Sequence, residues 1–356
     1  MVTAAAFIFV LGILIFIHEL GHFLVAKKAG IRVDKFSLGF PPNLFSKKVG
    51  DTTYCIGVIP LGGYVKMAGD NPMEETSGAP DEFMAKPIGH RAAVIFAGPF
   101  MNYLLAMALL FGLYFFAGGE VLKDPDRILV GEVRAGAPAD SAGLKPDDHI
   151  VALNGEPFTD MDSLRLRINA MPEQPIELTW IHQGDTITRR VITLAESVHN
   201  AEGGLDTVGL IGFTEKSLGR RPYGFGEAAV QAFLATHILV AETFRFVKMF
   251  ATGQISMRAV GGPIFIATQS GEQARRGAYA LFMFMALLSV NLAVLNVLPV
   301  PILDGGHLIF LLVERLRGAP LSLKTRAWAQ QIGLMMILGL ILLVTYNDIL
   351  RVVRGY

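Results

Sequence analysis

Apolar residues run almost unbroken over 4–26, which is long enough to cross a bilayer core that needs about 20. Comparable runs over 92–119, 278–303 and 327–346 predict four transmembrane helices in all. Between the first two, residues 36–69 change character. Gly and Pro punctuate β-branched and aromatic residues there, as in Gly57-Val-Ile-Pro-Leu-Gly-Gly-Tyr-Val-Lys66, which predicts short strands and tight turns in a membrane-associated β-hairpin region. Residues 70–90 are polar and read as a surface loop. In 120–196 the stretches 127–133, 176–181 and 187–192 alternate like strands, predicting an inserted α+β domain. Residues 197–226 are Gly-rich and polar and read as linker. Over 227–252 apolar positions recur at helical spacing, but Glu227, His237, Glu242, Arg245 and Lys248 interrupt them. That pattern predicts an amphipathic helix lying in the membrane interface. Parity supports it: a crossing there would carry the end of the 278–303 span to the wrong face.

Charge orients these spans. Lys27, Lys28, Arg32 and Lys35 follow the first, Lys86 and Arg91 precede the second, and Arg315, Arg317, Lys324 and Arg326 follow the third. By the positive-inside rule those ends are cytoplasmic, so the 120–196 domain lies outside. Composition agrees with a polytopic membrane protein, at 52% hydrophobic and 17% charged residues with mean hydropathy +0.46. Lys+Arg 31 balances Asp+Glu 31, so nothing points to a nucleic-acid partner. The single cysteine, Cys55, excludes an intramolecular disulfide and a cysteine-based zinc cluster. The first run lacks a basic leader and a small-residue cleavage site, and is expected to stay as a span.

The chemistry begins inside that span, at His18-Glu19-Leu-Gly-His22. Residues four apart share a helix face, so two imidazoles can meet one metal ion, with Glu19 beside them as general base toward an attacking water. Three ionisable groups in an apolar span are costly and point to function. A catalytic zinc takes three protein ligands and keeps an open position. Asp304 is the expected third. It follows the 278–303 span, where Pro299 and Pro301 unwind the backbone, at a matching depth toward the basic end. Asn296 is placed to support a tetrahedral oxyanion. His307 is assigned a supporting or structural part. Asn102 in the second span reads first as an interhelical contact, and second as a group that orients the site.

Two resemblances follow from these residues. Ala137-Pro-Ala-Asp-Ser-Ala-Gly-Leu-Lys-Pro-Asp-Asp-His-Ile, with Asn154-Gly155 after it, resembles the core of a bacterial PDZ domain, with 161–170 as its groove-lining helix. That implies an extended peptide or a protein C-terminus as ligand. The chain as a whole resembles the site-2 proteases, specifically the bacterial regulator-of-sigma-E protease group. His18-Glu19-x-Gly21-His22 and Asn296-x-x-Pro299-x-Pro301-x-Leu303-Asp304-Gly305 match its two catalytic motifs, and Gly98-Pro99-x-x-Asn102 its second-span signature. The resemblance implies one catalytic zinc at His18, His22 and Asp304, with Glu19 catalytic and Asn291 and Asn296 handling substrate. It also implies a single-pass membrane substrate already shortened outside, typically an anti-sigma factor, with remnant signal peptides as another class. The place implied is the bacterial inner membrane, with the site toward the cytoplasm and the PDZ domain periplasmic. Members often carry two tandem PDZ domains, and one copy is legible here. The competing readings are a metal or ion transporter and a non-catalytic PDZ receptor.

Overall fold

The computed structural model describes residues 2–70, 78–120, 127–158, 160–199, 205–216, 219–255 and 260–354. Helix α1, Val2–Lys28, is apolar on every side except at the His18–His22 face. Strands β1, Val33–Val49, and β2, Thr52–Met67, form one long antiparallel hairpin from Val33↔Met67 to Val49↔Thr52. This hairpin doubles back on itself. Lys35–Leu38 pairs with Gly63–Lys66 on one side and, in rising order, with Thr53–Ile56 on the other. The fold occurs where glycines permit it: a Cβ on Gly57 would sit 2.3 Å from the Phe40 carbonyl oxygen. The 63–67 stretch is left at one edge of the sheet, against α1. Helix α2, Ile88–Gly112, continues as a wider turn over Leu113–Ala117.

The chain divides into two compact units, Met1–Phe115 with Gly224–Tyr356, and Phe116–Tyr223. The second holds β3 (Gly119–Glu120), β4 (Ile128–Val133), α3 (Pro138–Ala142), β5 (His149–Leu153), β6 (Glu156–Pro157), α4 (Met161–Asn169), β7 (Pro175–His182) and β8 (Asp185–Ile192). Then come β9 (Leu194–His199), β10 (Leu205–Leu210), β11 (Phe213–Glu215) and β12 (Arg220–Arg221). The main sheet has the order β11-β4-β5-β7-β8, with β6 on β5. Its inward residues Ile128, Val130, Ile150, Leu178 and Trp180 pack with Leu164 and Ile168 of α4 into one core. Asp160 caps α4 by accepting from the Ser163 N–H at 2.9 Å. The 197–226 stretch is therefore not linker. It carries the end of β9 and all of β10, β11 and β12, and β11 completes the main sheet. Two of its glycines serve close packing: a Cβ on Gly209 would lie 2.3 Å from the Ile168 carbonyl oxygen, and one on Gly212, which has φ +84, 2.4 Å from the Ala137 Cβ.

Back in the first unit follow α5 (Phe225–Ala251), α6 (Pro263–Arg276), α7 (Ala278–Val297), α8 (Asp304–Arg317) and α9 (Leu323–Arg354). Among the described residues, 5 helices are long and apolar enough to cross a membrane, one more than expected, and the addition is α5. Helix α5 packs along the bundle. Phe225 meets Phe111 and Phe115, His237 meets Tyr103, and Thr243 Oγ1 donates to Asn291 Oδ1 at 2.8 Å. It thus runs antiparallel to α2 over 225–243, about 27 Å at 1.5 Å per residue. Ala228, Ala232 and Thr236 line its buried face, small enough for close approach, and its paired charges Glu242 and Arg245 lie near the far end.

Between α5 and α7 stands a short helix. Helix α6 has 14 residues. Its start lies against Val344 and Asp348 of α9, and Gly271 near its end lies against Thr3 at the head of α1. Asp348, only 2% exposed, accepts from the N–H groups of Gly262 and Phe265. Helix α7 then starts beside the head of α1 and runs parallel to it, with Met285 packed on Val10 and Leu14.

Candidate active site

The i, i+4 spacing on α1 stacks His18 and His22 on one face, with their rings edge-on and centroids 4.8 Å apart. Their Nε2 atoms are 3.2 Å from each other. Helix α2 fixes the far side of both rings. His22 Nδ1–H donates to the Val94 carbonyl at 2.8 Å, which leaves the lone pair on Nε2. His18 Nδ1 faces the Asn102 side-chain amide at 3.3 Å, and Asn102 Oδ1 is buried with no partner. Turning that amide end over lets Oδ1 accept from His18 Nδ1–H and satisfies both groups. His18 Nε2 then also carries a lone pair.

Asp304 opens α8, after α7 has ended at Val297 and the chain has turned through the two prolines. Gly305 and Gly306 make the turn tight enough: their Cβ positions would fall 2.2 Å from the Leu298 carbonyl oxygen and 2.3 Å from that of Val300. Asp304 Oδ2 reaches within 3.2 Å of His18 Nε2 and 3.6 Å of His22 Nε2. That oxygen is buried and has no hydrogen-bond partner. Three ligand atoms, all acceptors once both imidazoles hold their proton on Nδ1, therefore lie within 4.8 Å of one another. Acceptors crowded with no proton between them repel unless a cation sits among them. Two imidazole nitrogens and one carboxylate oxygen are a zinc donor set, and the fit is good.

Space for this cluster comes from glycine. A Cβ on Gly98 would lie 2.3 Å from His22 Nε2 and 2.8 Å from His18 Cε1. A Cβ on Gly21 would lie 2.3 Å from the Ala97 carbonyl oxygen, so α1 and α2 cross with no slack. Pro99, next in α2, cannot donate to the Ile95 carbonyl and weakens the helical ladder beside the site. Glu19 projects between α1 and β2. Its carboxylate lies toward the Val65 backbone N–H, and Gly63 passes close to its Cγ.

The structure brings Asn102 to His18, and the Asn102 carbonyl also accepts from Ser289 Oγ of α7 at 2.7 Å. Asn102 thus touches α1 through its side chain and α7 through its backbone. Asn291 is engaged by Thr243 of α5. Asn296 is half-buried on the last turn of α7. His307 lies one turn past Asp304 with its ring against Phe310, and is not one of the three converging groups. Reading the sequence missed Gly98 and the Val94 carbonyl. Gly98 stood out only as the first residue of the Gly98-Pro99-x-x-Asn102 signature, with no hint of the room it leaves, and a backbone acceptor leaves no trace in residue type.

Peptidase family M50 matches residues 6–340. A protein of Agrobacterium fabrum named "Putative zinc metalloprotease Atu1380" is 36% identical over 363 residues, covering 96% of this chain and 94% of its own. The zinc metalloprotease RasP of Geobacillus kaustophilus is 30% identical over 423 residues, covering 97% of each. Among solved structures, the PDZ domain of an SdrC-like protein from Listeria monocytogenes aligns at 19% identity and a TM-score of 0.21, over 25% of this chain and 87% of that one.

Proposed function

This chain belongs to peptidase family M50 and is a zinc metalloprotease integral to the membrane, and on that premise we propose that it cleaves a single-pass membrane protein within or beside its transmembrane segment. The observation that carries the reading is the meeting of three proton-free acceptors, from helices far apart in sequence, beside Glu19 and among apolar helices. His18 Nε2, His22 Nε2 and Asp304 Oδ2 hold one zinc ion. When bound, zinc supplies an activated water and polarises the scissile carbonyl. The Glu19 carboxylate takes the water proton and delivers it to the leaving amine. Val65 N–H and the crossing of α1 on α2 keep that carboxylate in place. Asn102 and Val94 hold the proton of each imidazole on Nδ1. Asn296 donates to the developing oxyanion, while Asn291 keeps α5 against α7 and His307 supports the Asp304 turn.

A helical substrate shields its peptide bonds with its own hydrogen bonds, so it must unwind before attack. The 63–67 edge of the doubled-back sheet runs next to Glu19 and suits an extended segment added as a further strand. In the inserted domain, β11 at the sheet edge offers a comparable position to a peptide or C-terminus, in the manner of a PDZ domain. The basic clusters at 27–35 and 315–326 support a site toward the cytoplasm, with the inserted domain outside, in a bacterial inner membrane. Helix α5 is the fifth crossing.

Two measurements test this. Fragments of a purified single-pass test substrate, read by mass spectrometry, are expected to end inside its apolar segment; a chelator should stop the cut and equimolar zinc restore it. Cuts confined to the flanking polar segments would exclude the intramembrane reading. Reporter fusions after Tyr223 and after Gly253 are expected on opposite sides of the membrane. The same side for both would return α5 to the interface.

A further inference from the structure

Apart from the three converging groups, a second buried polar cluster joins α2 and α8 with α9. Arg91 of α2, Glu314 of α8 and Arg326 of α9 are 4%, 7% and 9% exposed. The Arg91 guanidinium forks onto both oxygens of Glu314, Nη1 to Oε2 at 3.2 Å and Nη2 to Oε1 at 2.6 Å. Its Nε donates to the Lys86 carbonyl at 3.0 Å, which aims the fork. Arg326 Nη2 adds a longer bond to Glu314 Oε2 at 3.3 Å. Two guanidinium groups share one carboxylate, a poor arrangement if stability alone were at stake, because buried charges are costly to desolvate.

Its place in the fold supplies a reason. Arg91 lies one turn before Val94, whose carbonyl orients His22. Glu314 lies ten residues after Asp304 on α8, about 15 Å along one rigid helix. The other end of α8 follows the unwound 298–303 turn, which gives no stiff link back to α7. The fork therefore closes a ring: His22 to Val94, Val94 to Arg91, Arg91 to Glu314, and Glu314 through α8 to Asp304. A bidentate guanidinium–carboxylate pair fixes orientation as well as distance.

We propose that Glu314 is a positioning residue for the metal site: held by Arg91, it sets α8 against α2 so that Asp304 meets the imidazole pair. This rests on the ligand set proposed above. The test is a double-substitution cycle on zinc affinity, using full-length protein in detergent and a competing chelator. Glu314→Gln should weaken zinc binding about tenfold or more, the range for groups that orient metal ligands. In an Asp304→Asn background the same change should alter affinity less than about twofold, because its route to the metal is gone. Equal losses in both backgrounds, or no loss in the first, would overturn the proposal. Should Asp304→Asn alone leave affinity unchanged, the ligand set itself is wrong and the proposal falls with it. If Glu314→Gln does not fold, Arg91→Lys keeps the charge, loses the fork, and is put through the same cycle.

Discussion

Glu19→Gln is expected to lower the rate of substrate cleavage by about a hundred- to ten-thousand-fold while the protein stays folded and keeps its zinc. Gln has the same shape and cannot take up a proton from water at neutral pH. The isosteric side chain fits the same space beside Gly63, so the packing of α1 on β2 is retained. The three groups that converge on the metal position do not include Glu19, so zinc content should not fall. Elemental analysis of the purified variant, alongside mass spectrometry of substrate fragments, separates the outcomes. Cleavage near the wild-type rate would mean that another group accepts the proton. Loss of zinc together with cleavage would make Glu19 a ligand.

A methyl group at position 98 should empty the site of zinc without disturbing the helix that carries it. Carbon and nitrogen atoms out of bond contact settle near 3.5–4.0 Å. The added Cβ of Gly98→Ala would stand 2.3 Å from His22 Nε2 and 2.6 Å from His22 Cε1. The helices cannot move apart to admit it without opening the Gly21–Ala97 contact, where the backbones already touch. The imidazoles must swing away, and their Nε2 atoms leave the point where Asp304 Oδ2 arrives. Ala is the better helix former by about 0.8–1 kcal/mol, so helical content should hold or rise. Zinc affinity should fall by about a hundredfold or more, beyond what loss of a supporting group costs. Gly112→Ala, in the same helix, is the control: its Cβ meets nothing within 4 Å, and zinc affinity should not change. Chelator competition reads the metal and circular dichroism reads the helix. An unchanged affinity for Gly98→Ala would show that the rings are not held where the structure has them.

Much of this site is legible without coordinates. His18, Glu19 and His22 declare themselves because helical periodicity is a local property, and an apolar surround makes each polar group conspicuous. Asp304 follows by matching its depth to theirs, since spans have a known rise and charged ends mark their sides. The stretch 227–252 is less legible. A return across the bilayer before α7 is expected to need a full-length apolar helix, and the helix that stands there, α6, has 14 residues and packs on α1. Scattered charges made α5 look interfacial, yet a helix is judged by the face that packs, and Ala228, Ala232 and Thr236 form that face. The 197–226 stretch was misread for a related reason. Glycine signals flexibility and close contact alike, and only the neighbours of Gly209 and Gly212 tell which is meant.

Periodicity, charge placement and motif spacing by themselves determined the membrane class, the inserted domain and the three groups proposed to hold zinc. Each depends on residues a few positions apart or on the fixed length of a span. Tertiary structure alone decided how the β1–β2 hairpin doubles back, where α5 lies, and that Gly98, the Val94 carbonyl and the Arg91–Glu314 fork shape the space in which those ligands meet. The reason is that these are contacts between backbones and between residues up to 223 positions apart, and the geometry of such contacts is set by the whole bundle and carried by no residue's type.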